Sequence, residues 1–303
     1  MPYIQSERLI EVILGKKPMH RKFLKSTLTQ LTDEERADAE RYIDFLTAEG
    51  ASLEDLAECY LTIVHDTFRE EMFFKETKRY RFTTYAEAAA EVYDNPNYMR
   101  RYMIGLALSS FWWINHVQMR RFFNDCIPRH KGGIYREVGP GHGLYFLDAM
   151  STTSFDVYEG IDISATSVEL TNRIINSGHF GDFSKARVWR EDFLTTKFAE
   201  LADALVMGEV LEHVENPEMF LSRAYDVTTN SASIFLTTCF NSPAIDHIYN
   251  PESVEGLQNL VRRAGFNVIK SCIIPKVGCS LDQCMRELLP VNVALLLSKR
   301  DAE

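Results

Sequence analysis

Basic charge is what this 303-residue chain lacks: 33 Lys and Arg stand against 43 Asp and Glu, a net charge of −10. The acidic excess sits in the second half, and no Lys/Arg cluster offsets it, which argues against a surface built to follow a phosphate backbone. Cysteine is sparse. Six are scattered without a Cys-x-x-Cys pair, in a chain long enough to need no staples, so reduced thiols in a cytoplasmic protein are expected. Long hydrophobic runs are missing as well. The aromatic-rich uncharged stretch 102–118 does not exceed the ~18 residues of a membrane span. It also carries Ser109, Ser110, Asn115, His116 and Gln118, so a buried helix is expected there. Met1-Pro2-Tyr3-Ile4 runs into Glu7, Arg8 and Glu11 with no apolar core of a secretory signal. Internal repeats and low-complexity tracts are absent, and 46% apolar with 25% charged residues excludes wholesale disorder.

Residues 1–128 read as helix throughout, and 129–303 as alternating strand and helix, so an all-α domain followed by an α/β domain is expected. Thr32-Asp33-Glu34-Glu35 and Thr84-Tyr85-Ala86-Glu87 are capping boxes, and Asn95-Pro96 pairs an N-cap with a first-turn proline. Between 53 and 77, Leu56, Cys59, Tyr60, Ile63, Val64, Phe68, Met72 and Phe73 keep three- and four-residue spacing, one face of a long amphipathic helix. His65 inside it reads as structural. The character changes at Pro128-Arg129-His130-Lys131-Gly132-Gly133. Beyond it, strands are expected at 134–138, 155–161, 187–190, 204–207, 233–238, 266–274 and 291–297. Helices fall between them, two opened by Asn216-Pro217 and Asn250-Pro251. Such alternation means βαβ units and a mostly parallel sheet.

Chemistry collects at the ends of these strands. Glu137-Val138-Gly139-Pro140-Gly141-His142-Gly143 follows the first strand and opens a helix, where glycines permit a tight turn and close approach of a ligand. A dinucleotide fingerprint would need Gly or Ala where Leu144 stands, and a P-loop would need Gly-Lys-Ser/Thr; neither is present. Asp162 ends the second strand, where a carboxylate can accept from both ribose hydroxyls; capping of the next helix by Asp162 or Ser164 is the alternative. Glu191-Asp192-Phe193 ends the third. After the fourth, Glu209, Glu212 and His213 stand at i, i+3 and i+4, one face if the turn is helical. Carboxylates with imidazole suit Mg²⁺, Mn²⁺, Fe²⁺ or Zn²⁺, and Asp246-His247 follow the fifth strand, where the chain can return to the same pocket. His213 and His247 are the candidate general bases, since imidazole titrates near working pH. Tyr249 stands beside them as a pocket wall.

This series of motifs resembles the class I methyltransferases that use S-adenosylmethionine. Glu-x-Gly-x-Gly-x-Gly carries the likeness, as does Leu211-Glu212-His213-Val214 with Pro217, a run resembling the ubiquinone-biosynthesis O-methyltransferase type. The resemblance covers roughly residues 132–298. It implies a Rossmann-like, seven-stranded, mostly parallel sheet with an antiparallel last pair, behind an all-α domain. It further implies S-adenosylmethionine held by Glu137, Gly139, Pro140, Gly141, Gly143, Asp162, Ile163, Asp192, Phe193, Gly208 and Glu209. Two alternatives follow for Glu209, Glu212, His213 and His247: a divalent metal ion, or the metal-free form of the family's run, in which the Glu caps backbone and the His lines the pocket. The implied reaction is methylation of a small molecule, foremost at oxygen, in a specialised or secondary-metabolite pathway. N- or C-methylation and metal-dependent RNA 2′-O-methylation are the alternatives, with a NAD-dependent oxidoreductase or a non-catalytic cofactor-binding subunit further off. Helical additions in such enzymes cover the substrate, and many mediate dimerisation. That casts Trp113, Asn115 and His116 as substrate-facing, with core packing as the alternative, and makes a homodimer an expectation. Arg100-Arg101 and Arg120-Arg121 are candidates for a substrate carboxylate, or else solvated helix ends. The expected partner is a small-molecule substrate, with no nucleic acid and no membrane.

Overall fold

The computed structural model describes residues 3–127 and 132–300; the switch at Pro128–Lys131, where the expected domain boundary falls, lies outside them. The first half is helical: α1 (Ile4–Lys16), α2 (Arg21–Leu28), α3 (Asp33–Ala48), α4 (Leu53–Thr77), α5 (Tyr85–Ala88), α6 (Pro96–Trp112) and α7 (Ile114–Cys126). Both expected capping boxes form, and Asn95 accepts from the Tyr98 N–H. Each such cap contributes about 1 kcal/mol. α5 runs into one π-helical turn, Ala89–Tyr93.

Helix α4 has the expected length, but its inward face turns part-way. Leu56, Cys59, Tyr60 and Ile63 are buried, whereas Phe68 is 65% exposed and Met72 is also exposed. Asp66, Glu70 and Phe74 point inward instead, because Glu70 takes Arg69 and Arg81, each at 2.9 Å. His65 is exposed, not an interior histidine. The single buried helix expected over 102–118 is two helices, broken where Trp113 adopts an extended backbone.

The second half forms a seven-stranded sheet in the order β3–β2–β1–β4–β5–β7–β6. Its strands are β1 (Ile134–Val138), β2 (Val157–Asp162), β3 (Ala186–Arg190), β4 (Ala202–Met207), β5 (Thr228–Phe240), β6 (Phe266–Pro275) and β7 (Val291–Lys299). β1 to β5 pair in parallel, and β7 runs antiparallel to both β5 and β6. The helices between them are α8 (Leu144–Thr152), α9 (Ala165–Asn176), α10 (Pro217–Asp226), α11 (Val254–Arg263) and α12 (Leu281–Glu287). α12 carries no start signal that the sequence reading used. α11 begins later than Asn250-Pro251 suggested, capped by Ser253, because the Asn250 side chain is occupied with Asn241 and the Tyr80 hydroxyl.

One sheet face packs on α10 and α11 through Leu205, Met207, Ile234 and Leu236. The other shares a continuous core with the helical half, running from Leu9, Tyr60 and Trp112 to Tyr135, Val206 and Phe235. The helices are therefore a cover built onto the sheet. Among the described residues the cysteines are unpaired, and no helix is long and apolar enough to cross a membrane.

Candidate active site

Strand order reverses between β1 and β4, and in such sheets ligands bind outside the carboxyl ends of the strands at this switch point. A cavity of about 560 Å³ opens there, floored by the loops after β1, β2, β3, β4 and β5 and roofed by α4, α6 and α7. Gly139 and Gly141 hold left-handed backbone, φ 65° and 57°, which lets the β1 loop fold flat against the cavity. A Cβ at Gly141 would just touch Met103 Sδ at 3.4 Å, where the cover meets the loop.

A carboxyl stands at nearly every strand end. Glu137 is almost fully buried and takes the Tyr135 hydroxyl; burial pushes it up to about 8. Asp162 accepts the N–H of Gly141 at 3.1 Å and of Ser164 at 2.8 Å, so it ties the first two loops together. Burial raises it to about 6 against the pull of those N–H groups. Ser164 is the cap of α9, which leaves Asp162 free of that role. Asp192 accepts the Leu194 N–H at 2.9 Å on the cavity wall, beside the buried ring of Phe193.

Past β4, Glu209 sits in left-handed backbone (φ 53°), and only Leu211–His213 form a single 3₁₀ turn. Glu209, Glu212 and His213 thus do not share one helical face. His213 is partly exposed to the cavity. Its Nδ1 lies 3.5 Å from Asp246 Oδ2 and 3.2 Å from the Tyr93 hydroxyl. Asp246 is buried, and it takes the Tyr93 hydroxyl at 3.0 Å and the Tyr102 hydroxyl at 2.8 Å. Burial alone would raise its carboxyl; His213, His247 and the two hydroxyls overcome that and hold it below the usual range. His247 is buried with Nδ1 2.7 Å from the Ser242 carbonyl, and burial, reinforced by His213, drives it down to about 3.

Two overlapping groups could hold a cation. Ligand atoms of Glu212, His213 and His247 lie within 4.8 Å of one another, as do those of Glu209, Glu212 and Cys239. The four residues of the sequence reading do not form one set; Glu209 converges with Cys239 instead. Glu209 Oε1 is buried without a hydrogen-bond partner. Glu212, fully buried, is pushed well above the carboxylate range by burial and by Glu209. Two such carboxyls stay together either by sharing a proton or through a cation.

Of the residues singled out in the sequence, Glu137, Gly139, Pro140, Gly141, Asp162, Ile163, Asp192, Phe193, Gly208, Glu209, His213 and His247 all line the cavity, as do Trp113, Asn115 and His116. Gly143 and Tyr249 do not. Gly143 packs against Thr171 and Ile174, where a Cβ would meet atoms at 3.0–3.1 Å, and Tyr249 donates its backbone N–H to the Glu212 carbonyl. Arg120 is neither solvated nor free: Asp148 takes it at 2.5 Å. Sequence reasoning missed Tyr93, Tyr102 and the role of Asp246. Their contacts join residues 153 and 144 positions apart, and no local pattern signals such a pairing.

A family model described as a methyltransferase domain matches residues 112–271, more than half of the chain. Among solved structures, the [4+2]-cyclase SpnF superposes with a TM-score of 0.51 at 14% identity, over 63% of this chain and 83% of that one. The cyclopropane synthase MmaA2 from Mycobacterium tuberculosis gives 0.48 at 12% identity, over 61% and 84%. The YcgJ protein from Bacillus subtilis gives 0.47 at 12%, over 62% and 100%. No curated protein matches the sequence.

Proposed function

The chain belongs to the methyltransferase-domain family, and from that premise we propose that it methylates a hydroxyl oxygen of a small molecule, with His213 as general base. The observation that carries this reading is the Tyr93/Tyr102–Asp246–His213 chain, which ends on the cavity wall beside the loops after β1 and β2. The cavity suits a cofactor without phosphate: carboxyls stand at Asp162 and Asp192, an apolar ring at Phe193, and the one Lys/Arg among its described lining residues is Arg120.

S-adenosylmethionine, when bound, supplies a methyl group already activated on a sulfonium. Asp162 keeps acceptor capacity for the ribose hydroxyls, since an ionised carboxyl offers about four lone-pair sites and two are used. Asp192 and Phe193 would hold the adenine, and Glu137 with the Gly139–Pro140–Gly141 turn would hold the methionine part. His213 would accept the proton of the acceptor hydroxyl as its oxygen gains the methyl group and the methyl–sulfur bond breaks, leaving the thioether as the departing group, and Asp246 would stabilise the imidazolium. In-line positioning supplies much of the remaining rate.

A second reading keeps the reaction and adds a divalent cation on Glu212, His213 and His247. It is favoured because each Nδ1 is already tied, His213 to the Asp246 carbonyl at 3.2 Å and His247 to that of Ser242, the outer-shell arrangement that aims the other ring nitrogen at a metal. Such an ion would lower the pKa of the acceptor hydroxyl. Native mass spectrometry of the protein as purified, before any chelator, separates the two. Cofactor or its demethylated product without metal, with activity that survives EDTA, is the result expected for His213 alone. Activity lost to EDTA and restored by a divalent ion would transfer the role to the cation. A nicotinamide mass would overturn both.

A further inference from the structure

The cover faces the cavity with Ile63, Met99, Met103, Leu106, Trp113 and Met119. Its polar side chains are largely committed to partners. Asp66 takes the Tyr98 hydroxyl at 2.5 Å and Arg69 at 3.1 Å. Arg120 is clamped by Asp148 at 2.5 and 2.6 Å and by Asp38 at 3.2 Å. Asn115 donates to Asn292 at 2.9 Å, and His116 faces Ser109 Oγ at 3.0 Å. Burial holds His116 down to about 4, and burial with His116 and Arg120 holds His142 down to about 3, so neither is cationic.

The cover therefore offers an anionic acceptor no free cation. Eight carboxyls line the cavity against Arg120 alone, counted among the described residues, and Arg120 is spent. An ammonium on the body of the acceptor finds no open partner under the cover either, since Asp66 and Asp246 already hold their donors and the unpartnered Glu209 Oε1 lies on the sheet side, after β4. Burying an unpaired charge there is costly, whereas flexible thioethers fit themselves to irregular apolar shapes.

Resting on the reading of the site as a methyltransferase centre, we propose that the acceptor is an uncharged, mainly hydrocarbon molecule bearing a hydroxyl, its body seated beneath α4, α6 and α7, and that carboxylate- and phosphate-bearing acceptors are rejected. Leu106, on the roof and part-exposed to the cavity, is a specificity-determining position.

The test uses the full chain loaded with S-adenosylhomocysteine and three probes built on one para-substituted phenol: para-propylphenol, the para-carboxyethyl compound, and tyramine. Calorimetry is expected to show the neutral phenol binding about tenfold tighter, or more, than either charged analogue. Leu106→Lys should move the preference to the carboxyethyl compound, with S-adenosylhomocysteine binding by the variant reporting that it is folded. Equal or tighter binding of a charged analogue by the wild type overturns the proposal, as does failure of all three to bind while S-adenosylhomocysteine binds. Failure of S-adenosylhomocysteine itself would take this proposal down with the reading beneath it.

Discussion

The two halves of the molecule reach the same cavity by different physical means. In the sheet half, polar groups arrive strand by strand: Glu137 near the end of β1, Asp162 at the end of β2, Asp192 after β3, Glu209 after β4, Asp246 after β5. The hydrogen-bonded ladder fixes their spacing, so a ligand contacting several of them needs no other scaffold. In the helical half, position comes from packing, and polar groups that reach the cavity close on partners, some in the sheet half, as Tyr93 and Tyr102 do on Asp246 and Asn115 does on Asn292, and some among the helices, as Asp66 does on Tyr98 and His116 on Ser109. One half presents open acceptors, the other a mostly satisfied, apolar roof. Cofactor affinity should accordingly belong to the first, and acceptor choice and base alignment to both together.

Mutations can break or sharpen that division. The largest effect is expected for His213→Ala: loss of about a thousandfold in kcat, with binding of S-adenosylhomocysteine unchanged by calorimetry. Next is the double change Tyr93→Phe/Tyr102→Phe. It strips both hydroxyls from the Asp246 carboxylate and should lower kcat about ten- to a hundredfold, again leaving cofactor affinity intact. A fall in cofactor affinity of the same size would show that the cover shapes the cofactor site, and the division would fail. The third effect concerns stability rather than rate. Glu137 binds its proton more tightly folded, at about 8, than its ordinary value of 4.5. Its contribution is therefore full below 4.5 and is lost as pH rises toward 8. Urea midpoints measured across that window should decline in the wild type and flatten in Glu137→Gln.

How legible all this was in the sequence follows the same line. The loops at Glu137–Gly143 and Gly160–Ser164 were readable because strand and turn lie within a few residues; Glu209–His213 was placed correctly after β4, but its helical face and single four-residue cation set were not what formed. Helix starts were readable where one side chain caps its own helix, as at Thr32, Thr84 and Asn95. Asn250 looked the same locally and failed, because Tyr80 and Asn241 compete for its side chain. The inward turn of α4 at Asp66 and Glu70 was hidden for a similar reason: ion pairs and a tyrosine hydroxyl override apolar spacing. Nor does any spacing rule announce the π-helical turn that carries Tyr93 to His213. Where a residue's role is set by a partner more than a hundred positions away, local pattern is silent.

The claim that the strand-end carboxyls of the sheet half hold the cofactor is tested most directly by titrating S-adenosylhomocysteine into the wild type and Asp162→Ala in one calorimeter. One-to-one binding by the wild type, weakened about a hundredfold in the variant through loss of charge-assisted hydrogen bonds, is the predicted result. Equal affinity in the two, with the variant folded, would contradict it.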